Sequence, residues 1–135
     1  MVRLGKILHR RFGAILALTL AVWTLPVTAA ELVMFERTGC VWCLRWEREI
    51  GPIYPKTPEG RAAPLRHVSL DRGPPGDLAL AEPVFYTPTF VLMNDGREIG
   101  RITGYIGEDA FWGLLAGMVG KLDRKADHAG TTDKE

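Results

Sequence analysis

The chain has 135 residues, of which 47% are hydrophobic, and its formal net charge at pH 7 is +1. Length and composition predict one small soluble domain, together with segments that are removed or disordered. These figures exclude a large multidomain protein.

The first 30 residues have the pattern of a cleavable secretory signal peptide. Residues 12–25 form an apolar run of 14 residues, which is too short to span a bilayer comfortably. The run follows a basic segment that contains Arg3, Lys6, His9, Arg10 and Arg11. Small residues before Glu31 predict cleavage after Ala29 or Ala30. An uncleaved anchor is one alternative, and a twin-arginine signal at Arg10-Arg11 is another.

Cleavage would change the charge and fix the compartment. It removes four of the 17 basic residues and no acidic residue, so 13 basic residues remain against 16 acidic ones, a formal charge of −3. A mildly acidic protein is not expected to bind nucleic acid or an anionic membrane. Export predicts a periplasmic, oxidising location, where a dithiol persists only if another protein keeps reducing it.

Both cysteines lie in the stretch Cys40-Val41-Trp42-Cys43, where an apolar run gives way to helical spacing. The run, residues 32–35, predicts a buried strand, and the helix is expected to extend from Cys40 or Val41 to Ile50. Two intervening residues let the sulfurs meet across one turn of helix. The pair can therefore alternate between dithiol and disulfide.

Cys40 is predicted to be the attacking sulfur for an electrostatic reason. At the start of the helix, unpaired backbone N–H groups and the positive end of the helix dipole stabilise a thiolate. Arg37 is close enough in sequence to act in the same direction. Cys43 shares a helical face with Trp46 and Ile50, so it is expected to point inward as the resolving thiol. A static disulfide and a metal site are the alternatives for the pair.

The same helix carries four charged residues that are most simply assigned to a solvated face, Arg45, Glu47, Arg48 and Glu49. Four prolines follow in residues 52–64, where Thr57-Pro58-Glu59 predicts the start of a short helix. Residues 65–71 alternate as a second strand, in which His67 is assigned a packing role. Another short helix is expected over residues 77–81.

The stretch Tyr86-Thr87-Pro88-Thr89 leads into a third predicted strand. Pro88 cannot donate to the hydrogen-bond ladder of a sheet, and a cis peptide bond before it is one way to accommodate it. Asn94-Asp95-Gly96-Arg97 predicts a tight hairpin turn, because Asp-Gly supplies the positive φ that such turns need. Residues 98–105 are then the antiparallel return strand.

The last predicted helix begins at Gly107-Glu108 and has acidic residues at its positive end. Its buried stripe is expected to consist of Phe111, Leu114, Leu115, Met118 and Leu122. The polar residues 126–135 are predicted to be a disordered tail. The folded domain is therefore expected to cover residues 31–125.

The order of these elements resembles the thioredoxin superfamily from Leu32 to about Arg124. Two motifs carry the resemblance, Cys40-Val41-Trp42-Cys43 and, about 45 positions later, Thr87-Pro88. It implies an α/β fold of the minimal thioredoxin-like kind, with a central four-stranded mixed sheet flanked by helices. By the same resemblance Cys40 and Cys43 are catalytic, and Pro88 is cis and lies against the disulfide. The residues implied to bind substrate are Val41, Trp42, Thr87 and Pro88.

The chain departs from full thioredoxins in three respects. The extra N-terminal strand and helix are missing, which leaves a core of the size seen in glutaredoxins. The Trp-Cys-Gly-Pro-Cys sequence is absent, and Met34 stands where thioredoxins carry a buried Asp, so the usual proton acceptor for Cys43 is missing. Gly39-Cys40 with an aromatic residue at position 42 also resembles glutaredoxin. A glutaredoxin, however, needs glutathione, on which an exported protein cannot rely.

More narrowly, Gly39-Cys40 through Trp46, residues 49–55 and residues 59–64 resemble the small periplasmic thioredoxins of bacterial sulfur-oxidising (Sox) systems. The resemblance implies a monomeric reductant, without cofactor or metal, that acts on a protein disulfide or a sulfur-modified cysteine of a carrier protein. A membrane electron-transfer protein would reduce it again. The alternatives are an oxidant or isomerase for secreted proteins, a Cu(I)-binding module and a redox-sensing module.

Overall fold

The computed structural model of the chain describes residues 30–73 and 75–131. Residues 1–29 of the predicted signal peptide and residues 132–135 of the predicted tail lie outside this part. Within it, no helix is both long and apolar enough to cross a bilayer. The elements in chain order are β1 (Glu31–Glu36), α1 (Val41–Glu49), α2 (Pro58–Ala62), β2 (Leu65–Ser69), β3 (Thr89–Asn94), β4 (Arg97–Thr103) and α3 (Glu108–Thr131).

The four strands form one mixed sheet in the order β2-β1-β3-β4. β1 pairs in parallel with β2 and antiparallel with β3, which in turn pairs antiparallel with β4. Because β1 is paired on both edges and covered on both faces, its four central residues are apolar and fully buried. The predicted α/β fold with a central four-stranded mixed sheet and flanking helices is confirmed.

One face of the sheet packs against α1 and α3 around a cluster of aromatic side chains. The Trp46 ring on α1 lies 5.1 Å from the ring of Phe90 on β3 and 5.5 Å from that of Phe111 on α3. Tyr54, which follows α1, has its ring 6.1 Å from Trp46 and donates its hydroxyl to the Ala63 carbonyl at 2.7 Å. This cluster fixes α1, and with it the cysteine pair, against the sheet.

The opposite face is covered by an extended segment, where the sequence predicted a helix over residues 77–81. Ala79 instead forms a parallel bridge with Arg97 of β4. Leu78 and Leu80 pack under the sheet against the buried side chains of Val33, Phe35, Val91 and Met93. The helix prediction is wrong because the bridge to β4 and the apolar contacts under the sheet, both with residues distant in sequence, hold the segment.

Other differences concern the ends and faces of elements. β2 stops at Ser69 and a 3₁₀ turn, Leu70–Arg72, follows it. Leu114 is 52% exposed, because α3 meets the sheet along a narrow seam of Phe111, Leu115 and Met118. α3 extends to Thr131 and so includes residues 126–131 of the predicted tail.

Candidate functional site

The cysteine pair lies at the N-terminus of α1, as the sequence predicted. Gly39, with a φ of 78°, makes the turn from β1 into the helix, and Cys40 is the N-cap residue. A disulfide joins Cys40 to Cys43, and the Cys43 backbone N–H donates to Cys40 Sγ at 3.1 Å. The helix thus directs a donor at the outer sulfur, where it would stabilise negative charge after reduction.

The two sulfurs differ in their surroundings. Cys43 is only 4% exposed and belongs to the core cluster with Trp46 and Ile50, whereas Cys40 is partly exposed at the surface. An attacking group from another protein can therefore reach Cys40 and not Cys43. The inward position of Cys43 predicted from helical spacing is confirmed.

A groove opens beside the cysteine pair, with a volume of about 440 Å³. Trp42 forms one wall, and Thr87 and Pro88 form part of the other. The Thr87–Pro88 peptide bond is cis, the isomer that the resemblance implied. The structure thus brings together three of the four predicted substrate-binding residues. Val41, the fourth, is 68% exposed at the start of α1 and does not line this groove.

The wall at Trp42 is held by a set of polar contacts. The Arg45 guanidinium lies 5.7 Å from the Trp42 ring and 5.8 Å from the Tyr105 ring, within cation–π range of both. Glu49 accepts hydrogen bonds from the Tyr105 hydroxyl at 2.6 Å and from Arg45 Nε at 2.9 Å. The hydrogen bond from Tyr105 has the largest effect and lowers the pKa of Glu49, and the bond from Arg45 lowers it further. The carboxylate therefore stays ionised. Arg45 and Glu49 therefore shape the groove and do not form a purely solvated face.

Large apolar side chains surround the groove and remain exposed. Trp42 and Ile106 line it, and Tyr86 directly precedes Thr87; all three side chains are at least half exposed. Exposed aromatic and aliphatic groups on one groove, here Trp42 and Ile106, mark a surface that contacts other proteins. The chemistry of the cysteine pair and this surface point to a protein substrate.

A second pocket, of about 260 Å³, lies on the other side of the disulfide. Both cysteines line it, together with charged residues from the end of β1 and from α1, Glu36, Arg37 and Glu47. The loop at its edge is anchored, because the backbone N–H and the hydroxyl of Thr38 donate to Asp71 Oδ2 at 2.8 and 2.7 Å. These bonds lower the pKa of Asp71.

Two carboxylates that line this pocket, those of Glu36 and Glu47, lie close to a histidine on β2. His67 Nδ1 is 3.4 Å from Glu36 Oε2, and His67 Nε2 is 3.6 Å from Glu47 Oε1. Burial raises the pKa of Glu47 and is the largest effect on it. His67 lowers this pKa, and Glu36 raises it by a smaller amount.

Sequence reasoning missed this cluster. Glu47 was assigned to a solvated face and His67 to packing, although His67 is exposed. The available signal was the four-residue spacing from Cys43 to Glu47, which puts both on one helix face.

Comparisons with known proteins agree with the fold and the site. The chain matches the family model of the thioredoxin-like domain over residues 29–118. The reduced form of the periplasmic thioredoxin SoxS from Paracoccus pantotrophus is 50% identical, with a TM-score of 0.66, over 69% of this chain and 98% of that one. The germline-specific thioredoxin Deadhead from Drosophila melanogaster is 19% identical, with a TM-score of 0.51, over 67% and 81% of the two chains. No curated protein sequence matches the chain.

The family match includes the complete sheet, the cysteine pair and the Thr87-Pro88 motif. The similarity to SoxS covers nearly all of that protein at half identity, so it extends beyond the fold. The more distant thioredoxin supports the fold alone. The chain therefore belongs to the thioredoxin-like family and is a thiol–disulfide oxidoreductase that uses the Cys40–Cys43 pair.

Proposed function

We propose that the protein is a periplasmic reductant that restores a cysteine thiol on a partner protein. The substrate is a protein disulfide or a sulfur-modified cysteine, such as one on a carrier protein of sulfur oxidation. The observation that carries this proposal is the 50% identity to a periplasmic thioredoxin SoxS over 98% of that chain. A membrane electron-transfer protein returns the oxidised pair to the dithiol, and the protein acts as a monomer.

The proposed reaction has two steps. In the first, the Cys40 thiolate attacks a sulfur of the partner, and the displaced sulfur leaves with the electron pair. In the second, Cys43 attacks Cys40 Sγ, which releases the reduced partner and leaves the Cys40–Cys43 disulfide. The partial exposure of Cys40 and the burial of Cys43 support this order of attack.

The groove supplies the proposed contacts with the partner. Trp42 packs on the partner chain near the attacked sulfur, with Val41 beside it at the exposed start of α1. Thr87 offers its backbone groups to an extended segment of the partner, as a sheet edge does to an added strand. Pro88 shapes the floor of this site, where its side chain is buried. Main-chain contacts of this kind tolerate different side chains on the partner.

We further propose that residues 1–30 are a signal peptide that directs the protein to the periplasm. The name of the similar SoxS thioredoxin states a periplasmic location, and the basic and apolar segments before Ala30 fit export. Fusion of residues 1–30 to alkaline phosphatase should give an enzyme that is active outside the cytoplasm and has lost the segment. An inactive or unprocessed fusion would contradict this assignment.

The direction of electron flow is tested by comparing two reactions of the purified protein. The reduced protein should reduce the disulfides of insulin faster than the oxidised protein introduces disulfides into reduced, unfolded ribonuclease. Concentrations and pH are kept equal, and dithiothreitol alone provides the background. Faster oxidation of ribonuclease would reverse the proposed direction and identify an oxidant or isomerase.

Trp42→Ala is expected to weaken the reduction of a protein disulfide by raising KM about tenfold, because an exposed aromatic wall contributes on the order of 1–2 kcal/mol to partner binding. The value of kcat should change little, since the sulfurs stay in place. Reaction of Cys40 with a small disulfide serves as the control and should be unaffected. An unchanged KM for the protein substrate would remove Trp42 from the binding surface.

A further inference from the structure

Cys43 has to lose a proton before it can attack, because the thiolate and not the thiol is the nucleophile. The side chain is 4% exposed and lies in the core cluster with Trp46 and Met34, which cannot accept a proton. Solvent has little direct access to a thiol in this position. A proton acceptor within the protein would remove this obstacle.

Glu47 is placed to serve this purpose. It follows Cys43 by four residues on α1, so the two side chains lie on the same face of the helix. Glu47 lines the 260 Å³ pocket together with both cysteines. Its Oε1 atom is buried and finds no hydrogen-bond partner among the residues that the structure describes. His67 Nε2 lies 3.6 Å from the same oxygen, within ion-pair distance. A buried carboxylate oxygen that accepts no hydrogen bond is nevertheless rare and calls for a specific explanation.

We propose that Glu47 accepts the proton of the Cys43 thiol when Cys43 attacks the mixed disulfide at Cys40. The transfer occurs directly or through one water in the pocket, which is large enough and polar enough to hold water. The inference rests on the dithiol cycle of the proposed function, but it depends neither on the partner nor on the direction of electron flow.

The complete step balances as follows. Cys40 Sγ is bonded to a sulfur of the partner, and the Cys43 thiol gives its proton to the Glu47 carboxylate. The Cys43 thiolate attacks Cys40 Sγ, so the Cys40–Cys43 bond forms while the bond to the partner breaks. The electron pair leaves on the partner sulfur, which takes up a proton from Glu47 or from solvent. The two cysteines are oxidised and the partner disulfide is reduced.

The charged groups around Glu47 set its proton affinity. Glu36 and Arg37 line the pocket at the end of β1, and His67 on β2 contacts the carboxylates of Glu36 and Glu47. His67 is within ion-pair distance of both Glu36 and Glu47, so it acts as a positioning residue between the two carboxylates. Burial raises the pKa of Glu47, which makes the carboxylate a stronger base than an exposed one.

The test separates the attacks of the two cysteines. The reduced protein is mixed with the chromogenic disulfide dithiobis(nitrobenzoate), and each attack releases one coloured thiolate. The first phase reports the attack of Cys40, and the second reports the attack of Cys43 on the mixed disulfide. Both phases are followed as a function of pH for the wild type, Glu47→Gln, Glu47→Asp and Glu59→Gln. The last variant removes a carboxylate that lies outside the pocket.

Glu47→Gln is expected to slow the second phase about 10²-fold near neutral pH, the usual contribution of a proton acceptor, without slowing the first phase. In the wild type the second phase should slow as the pH falls through the pKa of Glu47, because a protonated carboxyl cannot accept. This inflection should be absent in Glu47→Gln and present in Glu47→Asp. Glu59→Gln should match the wild type in both phases.

Four results would overturn the inference, and the first three concern the second phase. The rate of the second phase could be the same in Glu47→Gln as in the wild type. The inflection of that rate with pH could persist in Glu47→Gln, or it could be lost in Glu47→Asp. Equal slowing of both phases with an unchanged pH profile would indicate a purely structural role and would also overturn it. The absence of a second phase in the wild type is a different failure, because it would remove the dithiol cycle and the proposed function with it.

Discussion

Cys40→Ser is expected to abolish disulfide reduction, with a loss of about 10³-fold or more, whereas Cys43→Ser stops the reaction at the mixed disulfide. The difference follows from the positions of the two sulfurs. Cys40 is partly exposed and faces a backbone N–H donor at 3.1 Å, so it is the sulfur that a partner meets. Cys43 is buried, and without Cys40 it cannot reach a disulfide of another protein.

The measurement is turnover with insulin, combined with mass spectrometry of the products under non-reducing conditions. Cys43→Ser should accumulate a covalent complex with the substrate that dithiothreitol releases, and Cys40→Ser should form none. Circular dichroism of both variants checks that the fold is intact. A stable complex formed by Cys40→Ser, or full turnover by Cys43→Ser, would show that the roles of the two cysteines are reversed.

Trp46→Ala is expected to lower the free energy of unfolding by about 3–5 kcal/mol, the largest stability effect that the fold predicts for one side chain. Trp46 is fully buried between α1, β3 and α3, and its ring lies 5.1–5.5 Å from the rings of Phe90 and Phe111. Truncation leaves a cavity that these rings cannot close. Since α1 carries the cysteine pair, its attachment to the sheet would weaken as well.

Chemical denaturation of the oxidised protein gives this free energy, with Trp46→Phe and Trp42→Ala as the matched variants. The Trp46 indole N–H has no hydrogen-bond partner among the described residues, so Trp46→Phe loses packing but no hydrogen bond and should cost less than Trp46→Ala. Trp42 is half exposed, and its truncation should have a small effect on stability. A loss below about 1 kcal/mol for Trp46→Ala would contradict the packing described above.

The elements with strong periodicity were predictable from the sequence. The run at residues 32–35 is buried on both faces and forms the central strand, and the hairpin at Asn94-Asp95-Gly96-Arg97 follows from the turn chemistry of its residues. The segment at residues 77–81 was not predictable as a helix or a strand from its own residues. Its conformation depends on a bridge to β4 and on contacts with the face of the sheet that α1 and α3 do not cover, both with residues distant in sequence.

The cysteine pair of the site was predictable from the sequence, and the second pocket was not. The spacing of Cys40 and Cys43 at a strand-to-helix junction specified the disulfide and its orientation. The second pocket depends on tertiary structure, because the parallel pairing of β1 with β2 sets Met34 beside His67 and brings that histidine to Glu47 on α1. From the sequence alone, a charged helix residue is assigned to solvent, because its burial depends on a neighbouring strand that is distant in sequence.

The reduction potential of the Cys40–Cys43 pair tests the central claim most directly. The purified protein is equilibrated in thiol buffers of defined potential, and the fraction of dithiol is read by alkylation and mass spectrometry. A reductant of the thioredoxin type should give a value of about −270 mV. A value between about −180 and −120 mV, typical of isomerases and oxidants, would contradict the proposed direction of electron flow.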